Sequence, residues 1–206
     1  MLLLIAALLL SGCMMPDRSK QAAANEAALL KEGLVTLKSG VTAPVFTATT
    51  SAGQQVEPLA GSPHYTLFFF FPAVDTPNSA AELITLTRNM DKFTGQNIQV
   101  YGIGPASPAE LAGFAAKYKI KVPLLSDASL AIATQYGCAK PGSQFAQRAL
   151  IGVGMDGKVA FADHTHYWVS NAAKSILDGF GLSAKPANGK APATTPPAGT
   201  TPPAGK

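Results

Sequence analysis

The chain has 206 residues, of which 47% are hydrophobic and 14% are charged, a composition that excludes an intrinsically disordered protein. Three of its sixteen basic residues follow residue 183, so the rest of the chain is nearly neutral, which argues against nucleic acid as a partner. The two cysteines, Cys13 and Cys138, are too few for a disulfide scaffold or a cysteine-rich zinc site.

The chain begins with an apolar run at residues 2–10. This run is too short to span a bilayer and has the length of the apolar region of a secretory signal peptide. It ends in Leu10-Ser-Gly-Cys13, which resembles the lipobox of bacterial lipoproteins, where the signal peptide is removed before a cysteine that becomes acylated. The resemblance implies a signal peptide at residues 1–12, lipidation of Cys13, and a membrane-anchored protein on the periplasmic side of the bacterial cell envelope. Met14 after the cysteine, in place of Asp, indicates the outer membrane.

Two further segments flank a central domain. Residues 13–39 are rich in Ala and Leu from residue 20 onward, which favours a helical spacer between membrane and domain. Residues 184–206 contain six Pro, six Ala, four Thr and three Gly and no large apolar side chain, so they are predicted to form a disordered tail with a polyproline II preference. The remaining residues, 40–183, are long enough for one domain with a substantial core.

Helical and extended patterns alternate in the central domain. Residues 65–71 are almost continuously apolar and aromatic, which indicates a strand covered on both faces. Residues 98–103 and 149–153 have the same character, and two stripes between these segments have helical spacing. The first stripe consists of Leu83, Leu86, Met90 and Phe93, and the second of Leu111, Phe114, Ala115 and Tyr118.

The end of the domain has a different pattern. Met155-Asp-Gly-Lys158 separates two extended runs, and Asp-Gly is a strong signal for a β-hairpin. A helix is predicted to follow at residues 167–180. Parallel βαβ units followed by an antiparallel hairpin and a last helix predict an α/β protein with a thioredoxin-like fold, in which helices flank a central mixed sheet.

The junction after residue 71 is the first place to expect chemistry, because ligands in open α/β sheets bind beyond the carboxyl ends of the strands. Thr76 is well placed as the N-cap of the following helix, with Pro77 as its first residue. Ser79 would then lie in the first turn, beside unpaired backbone N–H groups and the positive end of the helix dipole. Such a position stabilises an anion, and it is where a reactive thiolate would be built.

The same junction carries a family resemblance. Pro72, Thr76 and position 79 match the Pro-x-x-x-Thr-x-x-Cys motif of the peroxiredoxins of the alkyl hydroperoxide reductase and thiol-specific antioxidant (AhpC/TSA) group. Glu82 lies where several members carry a Glu. Arg148 occupies the position of the active-site arginine of that family.

The resemblance extends over the central domain. Residues 40–46 look like the family's opening strand, and residues 107–114, 122–127 and 136–137 look like its later helix, its later strand and its Tyr-Gly turn. The resemblance implies a thioredoxin-like fold and an antioxidant oxidoreductase of the redoxin type. Such an enzyme reduces peroxides with electrons from an external thiol reductant and uses no cofactor and no metal.

Position 79 departs from the family pattern, because it is Ser where the family has its peroxidatic Cys. The pKa of a hydroxyl starts several units above that of a thiol, and its oxygen cannot form a sulfenic acid. We therefore expect a peroxiredoxin-family protein with lost or altered peroxidase activity. The alternative is a non-catalytic thioredoxin-like module that binds a small polar ligand, with Thr76, Ser79 and Arg148 as a polar pocket.

The other reactive residues leave alternatives open. Cys138 is either a redox thiol or a small hydrophobe of the core. Hydrolysis by Ser79 would need a positioned base, and no motif places His64, His164 or His166 beside it. The His164-x-His166 pair is a metal-site candidate, although such a pair is more often surface decoration.

Overall fold

The computed structural model describes residues 37–61, 63–164 and 172–183. The predicted signal peptide, Cys13, most of the predicted spacer, His166 and the predicted tail lie outside the described residues. In the described ranges, no helix combines the length and the apolar composition needed to cross a bilayer.

Seven strands of the described residues form one mixed sheet. They are β1 (Ala48–Thr50), β2 (Gln55–Val56), β3 (Tyr65–Phe70), β4 (Ile98–Gly104), β5 (Leu124–Ser126), β6 (Ala149–Val153) and β7 (Val159–Asp163). Their order in the sheet is β2-β1-β5-β4-β3-β6-β7. The central strands β3, β4 and β5 are parallel, and the other pairs are antiparallel. The predicted mixed sheet is thus confirmed.

Five helices accompany the sheet in the described residues. They are α1 (Pro77–Arg88), α2 (Met90–Thr94), α3 (Pro108–Tyr118), α4 (Ala131–Gln135) and α5 (Ala172–Gly179). The first predicted stripe is divided between α1 and α2, because the backbone of Asn89 leaves helical geometry at φ −107° and ψ 7°. The predicted last helix is represented by α5, and residues 165–171 before it lie outside the described residues.

The aromatic strand β3 contributes to two separate cores. Leu67 and Phe69 point to one face of the sheet, where α1, α3 and α5 pack. Phe68 and Phe70 point to the other face, where α4 packs. All four side chains are completely buried. A strand covered on both faces has no polar alternation, which is the pattern that its sequence shows.

The β6–β7 hairpin confirms the prediction made from Asp-Gly. The Gly154 N–H donates to the Lys158 carbonyl at 2.8 Å, and the Gly157 N–H donates to the Gly154 carbonyl at 3.0 Å. Gly157 adopts φ +73°, a left-handed conformation that glycine reaches without the steric cost of a side chain.

The prediction of an opening strand at residues 40–46 is wrong. This segment forms a single bridge, Thr42 with Lys158, and the first strand begins only at Ala48. Pro44 has no N–H to donate to a ladder, and its carbonyl accepts instead from the Tyr136 hydroxyl at 2.6 Å. The segment is therefore held by Tyr136 at the end of α4 and by the β6–β7 hairpin, to which Gly40, Val41 and Ala43 form backbone hydrogen bonds.

Gly40 and Phe180 both contact the amino end of the sheet, which we define as the end at which β3 and β4 begin. The Gly40 N–H donates to the Val159 carbonyl at 2.8 Å, and Val159 begins β7 at that end. The rings of Phe180 and Tyr65 are 5.1 Å apart. The helix α1 starts at the opposite, carboxyl end.

Candidate active site

The first turn of α1 is fixed by Thr76. This residue is the N-cap, with extended backbone geometry at φ −87° and ψ 138°, and Pro77 follows as the first helical residue. The Ser79 N–H donates to Thr76 Oγ1 at 3.3 Å, and the Ala80 N–H donates to the Thr76 carbonyl at 3.0 Å. The predicted cap, proline and first-turn serine are thus all found where the sequence placed them.

Ser79 forms a second hydrogen bond through its side chain. Thr76 Oγ1 donates to Ser79 Oγ at 2.7 Å, and Ser79 is completely buried. The structure therefore brings together two of the predicted site residues. Neither hydroxyl is a strong acid, and a serine oxygen becomes an effective nucleophile only with an adjacent base.

The loop before the helix is attached to α3. Pro72 is half-buried in this loop, and Asp75 has a positive φ of 56°, which is uncommon for a residue with a side chain. Asp75 Oδ1 accepts from Lys117 Nζ at 3.0 Å. Both side chains are more than half exposed, so this ion pair positions the loop without contributing much free energy of folding.

Arg148 reaches the site helix at Glu82. Arg148 Nε donates to Glu82 Oε2 at 2.7 Å, with the Glu82 side chain fully buried and the Arg148 side chain 24% exposed. Glu82 lies three residues after Ser79, about one helical turn away. The predicted site arginine therefore contacts α1 through Glu82.

Glu82 is the site residue that sequence reasoning did not assign a role. Its neighbours Ala80, Leu83 and Leu86 are buried on the same helix. A carboxylate that is buried among apolar side chains needs a partner. The position of Glu82 within an apolar stripe was therefore the feature of the sequence that could have indicated its role. The identity of the partner, 66 residues away, required the fold.

Cys138 lies on the other face of the sheet. It is completely buried in the core that contains Phe68 and Phe70, whereas Ala80 of α1 belongs to the core on the opposite face. Cys138 Sγ donates to the Tyr136 carbonyl at 3.5 Å. Burial, and to a smaller extent the charge of Asp127, raises the thiol pKa well above its ordinary value, so the reactive thiolate is suppressed.

The histidines do not supply a base to Ser79 in the described contacts. His64 Nε2 lies 3.3 Å from the Pro58 carbonyl. The pKa of His164 is lowered by burial, an effect that the charge of Asp163 partly offsets. His166 lies outside the described residues, and within them no group of three or more His, Cys, Asp or Glu side chains is arranged to hold a metal ion.

The comparisons with known proteins agree with this architecture. A sequence profile of the AhpC/TSA family matches residues 39–162. Peroxiredoxin Bcp of Escherichia coli strain K12 is 32% identical to the chain over 101 residues, which cover 49% of the chain and 65% of that protein.

Two solved structures are similar in fold. The crystal structure of peroxidoxin BcpB from Mycobacterium tuberculosis matches with a TM-score of 0.65 at 23% identity, over 72% of this chain and 99% of that one. A cysteine-to-serine mutant of PrxQ from Xylella fastidiosa matches with a TM-score of 0.65 at 18% identity, over 71% of this chain and 97% of that one. At these identities the structures establish the thioredoxin-like fold alone.

Proposed function

Because the chain belongs to the AhpC/TSA family, we propose that it is an envelope-anchored relative of the peroxiredoxins in which peroxide reduction at position 79 has been lost. The observation that carries the proposal is the Ser79 oxygen at the head of α1, hydrogen-bonded to Thr76. This oxygen stands where the resemblance expects a peroxidatic sulfur.

Oxygen and sulfur at this position differ more in their chemistry than in their size. Lowering a thiol pKa from about 8.5 to about 6 requires roughly 3.4 kcal/mol of differential stabilisation, which a helix terminus and a nearby arginine can provide. A serine hydroxyl has a much higher pKa and stays protonated in the same field. A thiolate that attacks a peroxide becomes a sulfenic acid and releases water or an alcohol, and a reductant then restores it. A serine hydroxyl has no corresponding cycle of oxidation and reduction.

Cys138 does not replace the missing thiol in this proposal. The side chain is completely buried, its pKa is raised, and it lies in the core across the sheet from α1.

A second candidate function is a non-catalytic binding module. It is favoured by the polar groups that remain in place, since Thr76 is paired with Ser79 and Arg148 is paired with Glu82. A small polar ligand that accepts hydrogen bonds from Arg148 and the first turn of α1 would fit this set. Peroxide, if it binds here, would then be a ligand that is not turned over.

The proposal is tested by peroxide consumption with an external thiol reductant. We expect the wild-type protein to remain at background. Ser79→Cys should raise the rate by at least about tenfold, because Arg148 and the helix terminus are already present to stabilise a thiolate. Ser143→Cys, which places a thiol on an exposed loop residue, is the matched control and should give no such gain.

Two outcomes would contradict the proposal. The first is rapid wild-type turnover that Cys138→Ser abolishes, which would make Cys138 the catalytic thiol. The second is an equal rate for Ser79→Cys and Ser143→Cys, which would show that the head of α1 no longer favours a thiolate.

The envelope anchor is a separate part of the proposal and is supported by the sequence Leu10-Ser-Gly-Cys13. In a bacterial host, wild-type protein should incorporate radiolabelled palmitate and sediment with membranes. Cys13→Ser should lose the label, because the thiol is the acylated atom. Labelling that persists in Cys13→Ser would refute lipidation at this residue.

A further inference from the structure

The turn between β6 and β7 lies at the amino end of the sheet, and we call its residues 154–158 the hairpin tip. β6 is antiparallel to β3, with Val153 opposite Thr66, so β6 ends where β3 begins. The helix α1 begins at Pro77, beyond the end of β3 at Phe70. The hairpin tip and the candidate site therefore lie at opposite ends of the sheet.

The segment at residues 40–43 is bound to the hairpin tip. The Ala43 N–H donates to the Gly157 carbonyl at 2.9 Å, and Thr42 forms a β-bridge with Lys158. This segment therefore lies beside the hairpin tip. In the sequence, residues 14–39 are all that separates it from the proposed lipid anchor.

The surface at the hairpin tip combines apolar and basic side chains. Of the four large apolar side chains that are exposed in the described residues, Val41 and Met155 belong to this surface, and each is 45% exposed. Lys38 and Lys158 are also exposed. The carboxylate of Asp156 accepts from the Lys158 backbone N–H at 3.1 Å, so it is bound to its own turn. Exposed apolar side chains flanked by lysines are typical of surfaces that bind an anionic membrane.

A surface of this size would bind a membrane weakly by itself, because the affinity rises with the buried apolar area and with the number of basic groups. A tether removes the need for high affinity. A short flexible linker gives the attached surface an effective concentration in the millimolar range. With Cys13 acylated, residues 14–39 are such a tether between the bilayer and the hairpin tip.

We propose that the hairpin tip and residues 38–41 dock together on the anionic phospholipid surface of the membrane that holds Cys13. This proposal rests on the lipid anchor proposed above. The two apolar side chains enter the headgroup region, and the two lysines are attracted by the lipid phosphates. The first turn of α1 is then directed away from the membrane.

An environment-sensitive fluorophore on Met155→Cys reports contact with lipid. The full lipidated chain is placed in vesicles of phosphatidylethanolamine and phosphatidylglycerol, and Cys138 should stay unlabelled because it is completely buried. We expect a blue shift of the emission in these vesicles and a smaller one in vesicles of phosphatidylcholine, which has no net charge. The matched control is the same fluorophore on Ser143→Cys, an exposed position in the loop before β6, and it should not shift.

Neutral substitutions test the lysines. Each lysine near an anionic surface contributes about fivefold to the binding equilibrium, so Lys38→Gln and Lys158→Gln should each reduce the blue shift at the Met155 position. Adding Val41→Asn to both changes should abolish it. Lys140→Gln, in the loop that also holds Ser143, is the matched control and should leave the shift unchanged.

Sedimentation with the vesicles separates failure of the docking from failure of the anchor. Protein that sediments without a blue shift at the Met155 position would overturn the docking and leave the anchor in place. Protein that does not sediment would refute the anchor and, with it, the docking. Equal shifts in the two kinds of vesicle would overturn the role of the lipid charge. A shift that grows with protein density at constant lipid would also overturn the proposal, because a second copy would then cover the hairpin tip.

Discussion

At the head of α1, the structural and chemical demands on position 79 are separable. The helix needs Thr76 as an N-cap, and the Ser79 backbone N–H satisfies that cap. The side-chain atom of Ser79 receives one further hydrogen bond from Thr76. Oxygen and sulfur both fit such a place, so the fold tolerates the exchange of one for the other, whereas a redox cycle does not.

The ion pair between Glu82 and Arg148 should contribute strongly to stability. Arg148→Met leaves the fully buried Glu82 carboxylate without this guanidinium, and we expect a loss of about 3 kcal/mol in the free energy of unfolding. Urea denaturation measures this loss. Glu82→Gln combined with Arg148→Met should cost less than the sum of the two single changes, because the double variant has no uncompensated charge.

The exposed pair of Lys117 and Asp75 provides a control for that experiment. Lys117→Met removes an ion pair whose two side chains are more than half exposed, and its effect on unfolding should be small. A comparable loss of stability in both methionine variants would show that burial of Glu82 is not the cause.

At the level of the elements, two glycines of β4 allow close packing of the sheet against its helices. A Cβ at Gly102 would lie 2.7 Å from Leu124 Cδ2 and 3.0 Å from Leu83 Cδ2. A Cβ at Gly104 would overlap the ring of Phe71. Phe71 in turn packs against Phe114 of α3 with ring centroids 6.0 Å apart. The Phe71 ring therefore connects β4 with α3, and it fits there because Gly104 has no side chain.

Alanine substitution should separate this glycine from one without a packing role. Gly104→Ala is expected to lower the free energy of unfolding by about 1–3 kcal/mol, since the Phe71 ring must move in a packed core. Gly113→Ala lies in α3, where the new Cβ would meet nothing within 4 Å, and should raise it by up to about 1 kcal/mol. Thermal denaturation of the two variants tests both signs, and destabilisation by Gly113→Ala would refute the propensity argument.

The elements with strong local patterns were predictable from the sequence. Local residues determine three such elements: the aromatic run of β3, the Asp-Gly hairpin and the helix start at Thr76 and Pro77. The short strands β1, β2 and β5 have two or three residues each, too few to show a period. For residues 40–46 a family resemblance predicts a strand, but the pairing is limited to one bridge at Thr42, and Pro44 has no N–H with which to extend it.

For the whole molecule, two buried groups predict a loss of stability at alkaline pH. Burial raises the pKa of Cys138 and also that of Tyr136 above their ordinary values. In the unfolded chain these groups ionise first, so stability is fully present below these ordinary values and is lost as pH rises above them. Each group should contribute up to about 1.4 kcal/mol per pH unit.

Urea unfolding at several pH values from about pH 8 to about pH 10 measures this dependence. Cys138→Val removes the thiol and should reduce the slope above the ordinary thiol value. An unchanged slope in Cys138→Val would show that other groups cause the alkaline loss.

The tertiary relations of the site could not be read from the sequence. Arg148 was assigned to the site by resemblance, but its partner Glu82 became evident only when β6 was placed beside β3. The separation of Cys138 from Ser79 likewise depends on which face of the sheet each residue packs against. Such relations arise from the order of the strands, which no local pattern encodes.

Gly40 and Phe180 both contact the amino end of the sheet, whereas the first turn of α1 lies at its carboxyl end. A labelling group attached directly at either of these two residues therefore lies at the end of the sheet opposite the first turn of α1. Such a label should leave small solutes free to approach that turn from solution.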